Sequence, residues 1–337
     1  MAGLVASAKG EGTLNVTALP RGWCNYGALI DGFEAKYGLV VNSINPNGVS
    51  ADELQAIASN KASPGPNAPD VIDVGVGAAA QAKEQGLIQP YKVLSWGSID
   101  SPDKDPDGYW YGDYYVVLSF EINTKVVTNI PKDWPDLLKP DYKNKIALAG
   151  NPLSSDEGIQ SVYGAALANG GSLDNAQPGL DFFKKLNDSG NLVHTIATSA
   201  TVASGQTPIV IGWSYRALAD RDAEAAKGGP PIQVVIPVSG RLGEMYAQAI
   251  STFAPHPNAA KLWEEYLFSD IGENLWLSGY CFTTRYTDLK ARGAIDAATA
   301  AKLPDTAGTE FPTADQLAAA RTLISGQWKA VVGVTIQ

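Results

Sequence analysis

The sequence predicts an α/β protein of two lobes joined by two extended crossings, and three features carry that expectation. From Thr13 to Gly86, strand-like and helix-like stretches alternate at βαβ lengths, which indicates a mostly parallel sheet. A second alternating set runs from Lys145 to Ile236. Two apolar extensions, Tyr109 to Ile122 and Tyr246 to Ala254, are longer than ordinary strands and suit segments that leave one sheet and enter another. A chain of 337 residues is also long for one domain and comfortable for two cores.

In the first lobe, Thr13 to Ala18 reads as a strand stopped by Pro20. Ala28, Leu29, Phe33 and Tyr37 recur at helical spacing over Tyr26 to Tyr37, and Gly38 closes that helix. Leu39 to Ile44 is a second strand. Ser50-Ala-Asp-Glu offers a capping box for a helix from Asp52 to about Ser59. Lys61 to Pro69 reads as a surface loop. Asp70 to Val76 is a third strand that runs into the glycine-rich turn Gly75 to Ala78, with a helix over Ala79 to Gln85. The Asp-, Pro- and Ser-rich stretch from Trp96 to Gly108 is a loop.

The second set begins with a strand at Lys145 to Leu148. Ser154-Ser-Asp-Glu caps a helix from Asp156 to Asn169, and a further helix covers Ala176 to Asn187. Pro208 to Trp213 is a buried-type strand, Tyr215 to Lys227 a helix and Ile232 to Ile236 a strand. Beyond Asn258 the pattern is helical: Ala259 to Phe268, Gly272 to Leu277, Gly293 to Leu303 and Thr313 to Gly333. With crossings near 112–124 and 233–253, residues 1–117 and 251–337 make lobe one and 118–250 lobe two. In open α/β sheets ligands meet the carboxyl ends of strands, so two facing lobes would enclose a small-molecule site.

Composition narrows the function. Hydrophobic content of 45% and charged content of 18% describe a globular chain, and a net charge of −10 argues against nucleic acid as a partner. No stretch approaches the roughly 18 apolar residues of a membrane span. The two cysteines, Cys24 and Cys281, sit in no metal-binding spacing. Only two histidines are present. His256, between prolines, reads as a surface turn residue, and His194 as a strand residue. Metal and cofactor are therefore not expected.

The stretches PIVIGWSYRALAD, VVIPVSGRLGEMYAQAISTFAPHPNAAKLWEEYLFSD and LSGYCFTTRY resemble type II periplasmic solute-binding proteins of ABC transporters. The resemblance is to the spermidine/putrescine and iron(III)-like branch, and within it to members that bind 4-aminobutyrate (GABA). It covers nearly the whole chain and implies a Venus-flytrap fold. It also implies a non-enzymatic, monomeric receptor that delivers a small amine or amino acid to a membrane permease. The implied location is the periplasm, with the export signal removed ahead of Met1.

By the same resemblance, the ligand loop after the first strand is Arg21 to Tyr26, with Trp23 and Tyr26 as its aromatic members. The loop after the third strand supplies Gly75 and Gly77. Lobe two supplies Ser154, Ser155, Trp213, Tyr215 and Arg216, and the returning crossing supplies Glu244 and Tyr246. The pattern departs from polyamine binders: Ser214 stands where an acid is frequent, and Glu244 precedes Met245 and Tyr246. Iron binders need adjacent tyrosines, whereas strand alternation sends Tyr114 and Tyr115 to opposite faces.

The chemistry of these residue types suits a zwitterion. Arg216 offers a planar fork for a carboxylate, although a solvated place in the first turn of a helix is an equal reading. Arg221 competes for that role but has Asp220, Asp222 and Glu224 beside it. Glu244 suits an ammonium, or else it is a turn residue after Gly243. Ser154 and Ser155 cap a helix whose free N–H groups also suit an anion. Trp23, Trp213, Tyr26 and Tyr246 would wall the ligand or pack the core. Gly75 and Gly77 permit close backbone approach. Putrescine, spermidine and aminophosphonates are the alternative ligands. A hydrolase with Ser154 or Ser155 as nucleophile is weaker still, because no histidine is placed as base and no GxSxG elbow occurs. Cys24 is a buried hydrophobe or, in an oxidising periplasm, half of a disulfide with Cys281.

Overall fold

A computed structural model describes residues 1–61, 65 and 67–337, so residues 62–64 and 66 of the loop expected over Lys61 to Pro69 lie outside the described residues. The chain opens with α1 (Ala2–Glu11), β1 (Thr13–Thr17), α2 (Tyr26–Tyr37), β2 (Val40–Ile44), α3 (Ser50–Asn60), β3 (Val71–Gly75), α4 (Val76–Glu84) and β4 (Ile88–Gln89). It continues through β5 (Tyr111–Asn123), β6 (Ile146–Leu148), α5 (Asp156–Ala168), α6 (Gln177–Asp188), α7 (Ser199–Ser204), β7 (Ile209–Trp213) and α8 (Ser214–Ala226). The last part holds β8 (Ile232–Val235), β9 (Gly243–Ser251), α9 (Pro257–Leu267), α10 (Asp270–Ser278), β10 (Phe282–Thr283), α11 (Tyr286–Ala291), α12 (Ala297–Ala300) and α13 (Ala314–Val331).

The chain forms two compact units, Met1–Tyr115 with Met245–Leu303, and Val116–Glu244 with Pro304–Gln337. The long strands β5 and β9 carry the two anticipated crossings. A third, at Leu303–Pro304, corrects the expected assignment of residues 251–337 to lobe one. Its physical reason is α13, whose buried Ala320, Ile324 and Trp328 recur every fourth residue along one face. Trp328 packs on Phe183 of α6 with ring centroids 5.6 Å apart, and the Gln337 N–H donates to the His194 carbonyl at 2.9 Å. An amphipathic stripe announces that a face is buried but not what it is buried against.

In the first unit β1 pairs in parallel with β2 and β3, as the βαβ pattern requires, while β9 returns antiparallel to β3 and β4. In the second, β6 and β7 are parallel and β5 runs antiparallel to both β7 and β8. The sheets are thus mixed rather than mostly parallel, because each crossing strand enters against the local direction. Three local expectations also change. The N-cap of α3 is Val49, which has no side-chain oxygen, so only half of a box forms, Asp52 accepting from the Val49 N–H at 3.0 Å, while the Ser50 hydroxyl accepts from the Gly75 N–H at 3.4 Å. The helix expected over Gly293 to Leu303 is replaced by the short α11 and α12 on either side of Gly293. Finally, α1, poor in helix signals with Gly3 and Gly10, is held by tertiary contact: its Glu11 caps α9 by accepting from the Asn258 and Ala259 N–H groups at 3.0 and 2.7 Å.

His256 is no surface turn residue. Its Nδ1 lies 2.8 Å from Asp70 Oδ2, and its Nε2 lies 3.1 Å from the Thr13 hydroxyl. Asp70 also accepts from the Asn15 N–H at 2.7 Å, so one carboxylate ties β1, β3 and the start of α9 together. His194 is extended but outside any strand, and its ring meets Asn187 at 2.9 Å.

Cys24 and Cys281 form a disulfide with Cα atoms 5.5 Å apart, both fully buried. The loop it anchors is backbone-strained, with positive φ at Ala18, Cys24 and Asn25, conformations that disfavour L-residues by about 1–2 kcal/mol each. The opposing chain must come close: a Cβ on Gly279 would stand 2.6 Å from Asn25 Cβ and 2.8 Å from the Cys24 carbonyl carbon. Replacing both cysteines by alanine is expected to destabilise the protein by about 2–5 kcal/mol, read as a lower melting temperature. Reductant should reproduce the drop in the native protein and leave the double variant unmoved. A melting temperature indifferent to reductant would refute a structural role. Gly279→Ala should destabilise by about 1–3 kcal/mol through the clash alone, measurable by denaturant titration.

Candidate functional site

The first unit gathers five of the expected residues around the end of β3. Tyr246 of β9 pairs directly across from Gly75, where the missing side chain leaves the tyrosine room. Gly77 lies in the first turn of α4, which begins at Val76, three residues earlier than the pattern suggested. The Trp23 ring meets Tyr246 edge-on at 5.6 Å, and Tyr246 stacks on Tyr114 at 5.3 Å with planes 12° apart. Trp276 closes on both Tyr114 and Tyr26 at 4.6 Å. Trp23 and Tyr246 are half-buried, whereas Tyr26 is buried and serves as backing rather than as an exposed wall.

Behind these rings runs a polar chain that the motif reading did not single out. Asp73 Oδ2 accepts from the Tyr26 hydroxyl at 2.5 Å and from the Tyr114 hydroxyl at 3.1 Å. Gln248 Nε2 donates to the Tyr26 oxygen and to Asp113 Oδ2, both at 2.9 Å. Burial pushes both Asp73 and Asp113 above the usual carboxylate range, and the tyrosine hydroxyls and the Gln248 amide pull back only in part. The signal was present: an aspartate inside the otherwise apolar VIDVG strand must find partners or a proton. Tyr115 faces away from this group and stacks on Phe282 at 5.3 Å.

In the second unit the start of α5 and the β7–α8 junction converge on Glu157, which sequence reasoning treated as part of a cap. Ser155 is the cap, its hydroxyl accepting from the Gly158 N–H at 3.4 Å, while Ser154 is exposed. Asp156 pairs with Arg321 of α13. Glu157 turns inward: its Oε1 accepts from the Trp213 N–H at 2.7 Å and its Oε2 from Arg216 Nη1 at 2.8 Å. A side chain on Gly212 would come within 2.7 Å of Glu157 Oε1, so that glycine makes the approach possible. Burial raises the Glu157 pKa while Arg216 and the Trp213 N–H oppose the shift. Arg216 is raised by the Glu157 charge.

Arg216 thus gives one nitrogen of its fork to Glu157, and 44% of its side chain stays exposed. Trp213 and Tyr215 are 3% and 6% exposed, so Trp213 contributes its main-chain N–H to this unit's site and its ring to the core. Arg221 pairs with Asp222 at 2.9 Å, which removes it as a competitor. Glu244 is also buried. Its carboxyl is pushed up to about 7 by burial first and the Glu157 charge second, with Gln160 opposing, and its Oε2 has no hydrogen-bond partner. Arg216 and Glu244 thus meet through Glu157, one by a salt bridge and the other by repulsion. Neither histidine accompanies Ser154 or Ser155: His256 is held by Asp70 and Thr13, and His194 meets Asn187.

Among solved structures, the chain resembles the periplasmic binding protein AfuA from Actinobacillus pleuropneumoniae, determined with fructose-6-phosphate, at 21% identity. That match covers 96% of this chain and 99% of the other, with a TM-score of 0.70. An ABC-transporter substrate-binding protein from Bradyrhizobium japonicum matches at 16% identity with a TM-score of 0.73, over 95% and 99% of the two chains. Iron-bound HitA from Pseudomonas aeruginosa matches at 17% identity with a TM-score of 0.69, over 96% and 99%. These likenesses establish the two-lobed α/β periplasmic binding protein fold. In sequence, an uncharacterized protein of Haemophilus influenzae is 29% identical over 212 residues, and the match spans 59% of this chain and 58% of that protein's length. The family profile of the bacterial extracellular solute-binding proteins matches residues 67–318. The chain belongs to that family.

Proposed function

We propose that this receptor captures a small ω-amino acid, with 4-aminobutyrate as the best candidate, for a periplasmic ABC transporter. The observation that carries the reading is the presence, in the same unit, of one guanidinium with donors left over and one carboxyl whose Oε2 has no hydrogen-bond partner. Arg216 would take the carboxylate through the donors that Glu157 leaves free, and Glu244 would take the ammonium. In the first unit, the half-buried Trp23 and Tyr246 present apolar and π-face surface of the kind that methylenes and a cation favour. AfuA and HitA name fructose-6-phosphate and iron as competing ligands. A phosphate dianion fits poorly here, since Arg216 shares its surroundings with Glu157 and Glu244. For iron, no group of three or more His, Cys, Asp or Glu side chains stands ready for a metal among the described residues, and Tyr114 and Tyr115 face apart. Linear diamines remain the second reading because the acids outnumber Arg216.

Calorimetric titration with 4-aminobutyrate, putrescine, spermidine, proline, 2-aminoethylphosphonate, fructose-6-phosphate and ferric citrate discriminates these readings. The ω-amino acid is expected to bind tightest, and a clear preference for a diamine would sink the zwitterion reading. Arg216→Ala should weaken binding about tenfold to a hundredfold, the worth of a charged hydrogen bond. Unchanged affinity would remove Arg216 from the site while leaving the family intact.

The raised pKa of Glu244 gives a second check. An ammonium selects the ionised carboxylate, so affinity should climb with pH up to about 7 and level off above it. Glu244→Gln should bind weakly and lose that climb. An affinity independent of pH between about 5.5 and 8 in the native protein would place the ammonium elsewhere.

A further inference from the structure

A second polar feature of the second unit lies away from Glu244, in a crevice between α8 and the segment that leads into α7. Its floor is β5, where Ser119 and Glu121 sit two residues apart opposite Gly212 and Val210 of β7. Glu121 is only 7% exposed, yet its Oε1 meets no hydrogen-bond donor. The crevice is closed above by Arg216 and Asp220, one turn apart on α8, and laterally by Thr198.

Every charge that faces Glu121 can be assigned to an element. From α8 come Asp220 and Glu224, and from α5 comes Glu157, all repulsive; only Arg216 opposes them. Arg216 is already committed to Glu157 through Nη1, and Glu224 to Lys227 at 2.7 Å. The other lining residues, Ala149, Ala197, Thr198, Ser199, Val210 and Gly212, bring no charge. Burial, followed by the Asp220 charge, raises the Glu121 pKa to about 8. A buried carboxyl in such surroundings needs a proton or a cation. The free space is about 20 Å³, which fits one particle the size of a water molecule. Magnesium and calcium would both lack here the six or more oxygen ligands they require. An ammonium group is water-sized, and it donates the hydrogen bonds that Glu121, Asp220 and the Ser119 hydroxyl can accept.

We propose that this crevice is a binding site for one primary ammonium group, either the free ammonium ion or the amine end of a longer molecule, held by Glu121 and Asp220. Its occupant displaces the proton from Glu121. The site adjoins the place assigned to the transported solute and shares Glu157 and Arg216 with it, but its two acceptors, Glu121 and Asp220, play no part in holding that solute.

The test is a set of thermal melts at pH 8.5 and fixed ionic strength in choline, potassium, ammonium or methylammonium chloride, with no transported solute added. Ammonium is expected to raise the melting temperature by about 2–4 °C over choline, and Glu121→Gln and Asp220→Asn should each abolish the rise. A matching rise in methylammonium identifies an amine end as the natural occupant, and a rise in ammonium alone identifies the free ion. Carboxyl carbon NMR adds a readout that does not depend on a variant: ammonium should shift the Glu121 titration downward from about 8. Equal melting in all four salts, a potassium effect as large as that of ammonium, or an unmoved Glu121 titration would overturn the proposal. Because no transported solute is present, these results stand or fall separately from the ω-amino acid reading.

Discussion

The two oxygens of Glu157 divide the work of organising the second unit. One fixes the main chain where β7 becomes α8, and the other fixes the guanidinium two residues into that helix. A single carboxylate thus sets both the direction in which α8 leaves the sheet and the direction in which Arg216 points. Its burial makes that constraint strong, because an ionised carboxylate away from water is tolerable only with both partners in place. Everything else at this end of the unit follows from where Glu157 sits. Gly212 has no side chain because one would collide with it, Glu244 is hard to ionise because of its charge, and only part of the Arg216 fork is left over.

Both units also carry more buried acid than buried base. Asp73 and Asp113 in the first, and Glu121, Glu157 and Glu244 in the second, are all buried, and Arg216 is the one guanidinium set among the latter three. In a structural core such groups would be expensive, since apolar residues of equal volume serve stability as well or better. Unequal proton affinities let such neighbouring carboxyls differ in charge at one pH.

The sequence was most readable where local pattern and tertiary outcome coincide. The helix over Tyr26 to Tyr37, the strand ending at Trp213 and the capped helix after Ser155 appear where spacing placed them, because one amphipathic face and one stop residue specify each. What escaped depended on partners remote in sequence. The stripe Ala320, Ile324, Trp328 was visible, but its partner Phe183 was not. Glu157 reads as part of a cap and Glu121 draws no notice in its apolar strand, and only the fold sets both beside Arg216. His256 was misjudged for the same reason: the prolines around it suggested exposure, and Asp70, far upstream, decides otherwise. The disulfide stays open at the level of sequence, since spacing alone cannot pair Cys24 with Cys281, and the structure closes it.

The threefold passage of the chain between units has a consequence for biosynthesis. A ribosome delivers residues in order, and domains ordinarily fold as their last segment emerges. Here the first unit needs residues up to Leu303, and the second needs the final strand-like tail, whose Gln337 exchanges hydrogen bonds with His194 and Ile196. Neither unit is one uninterrupted stretch of chain, so each core closes only when segments remote in sequence meet.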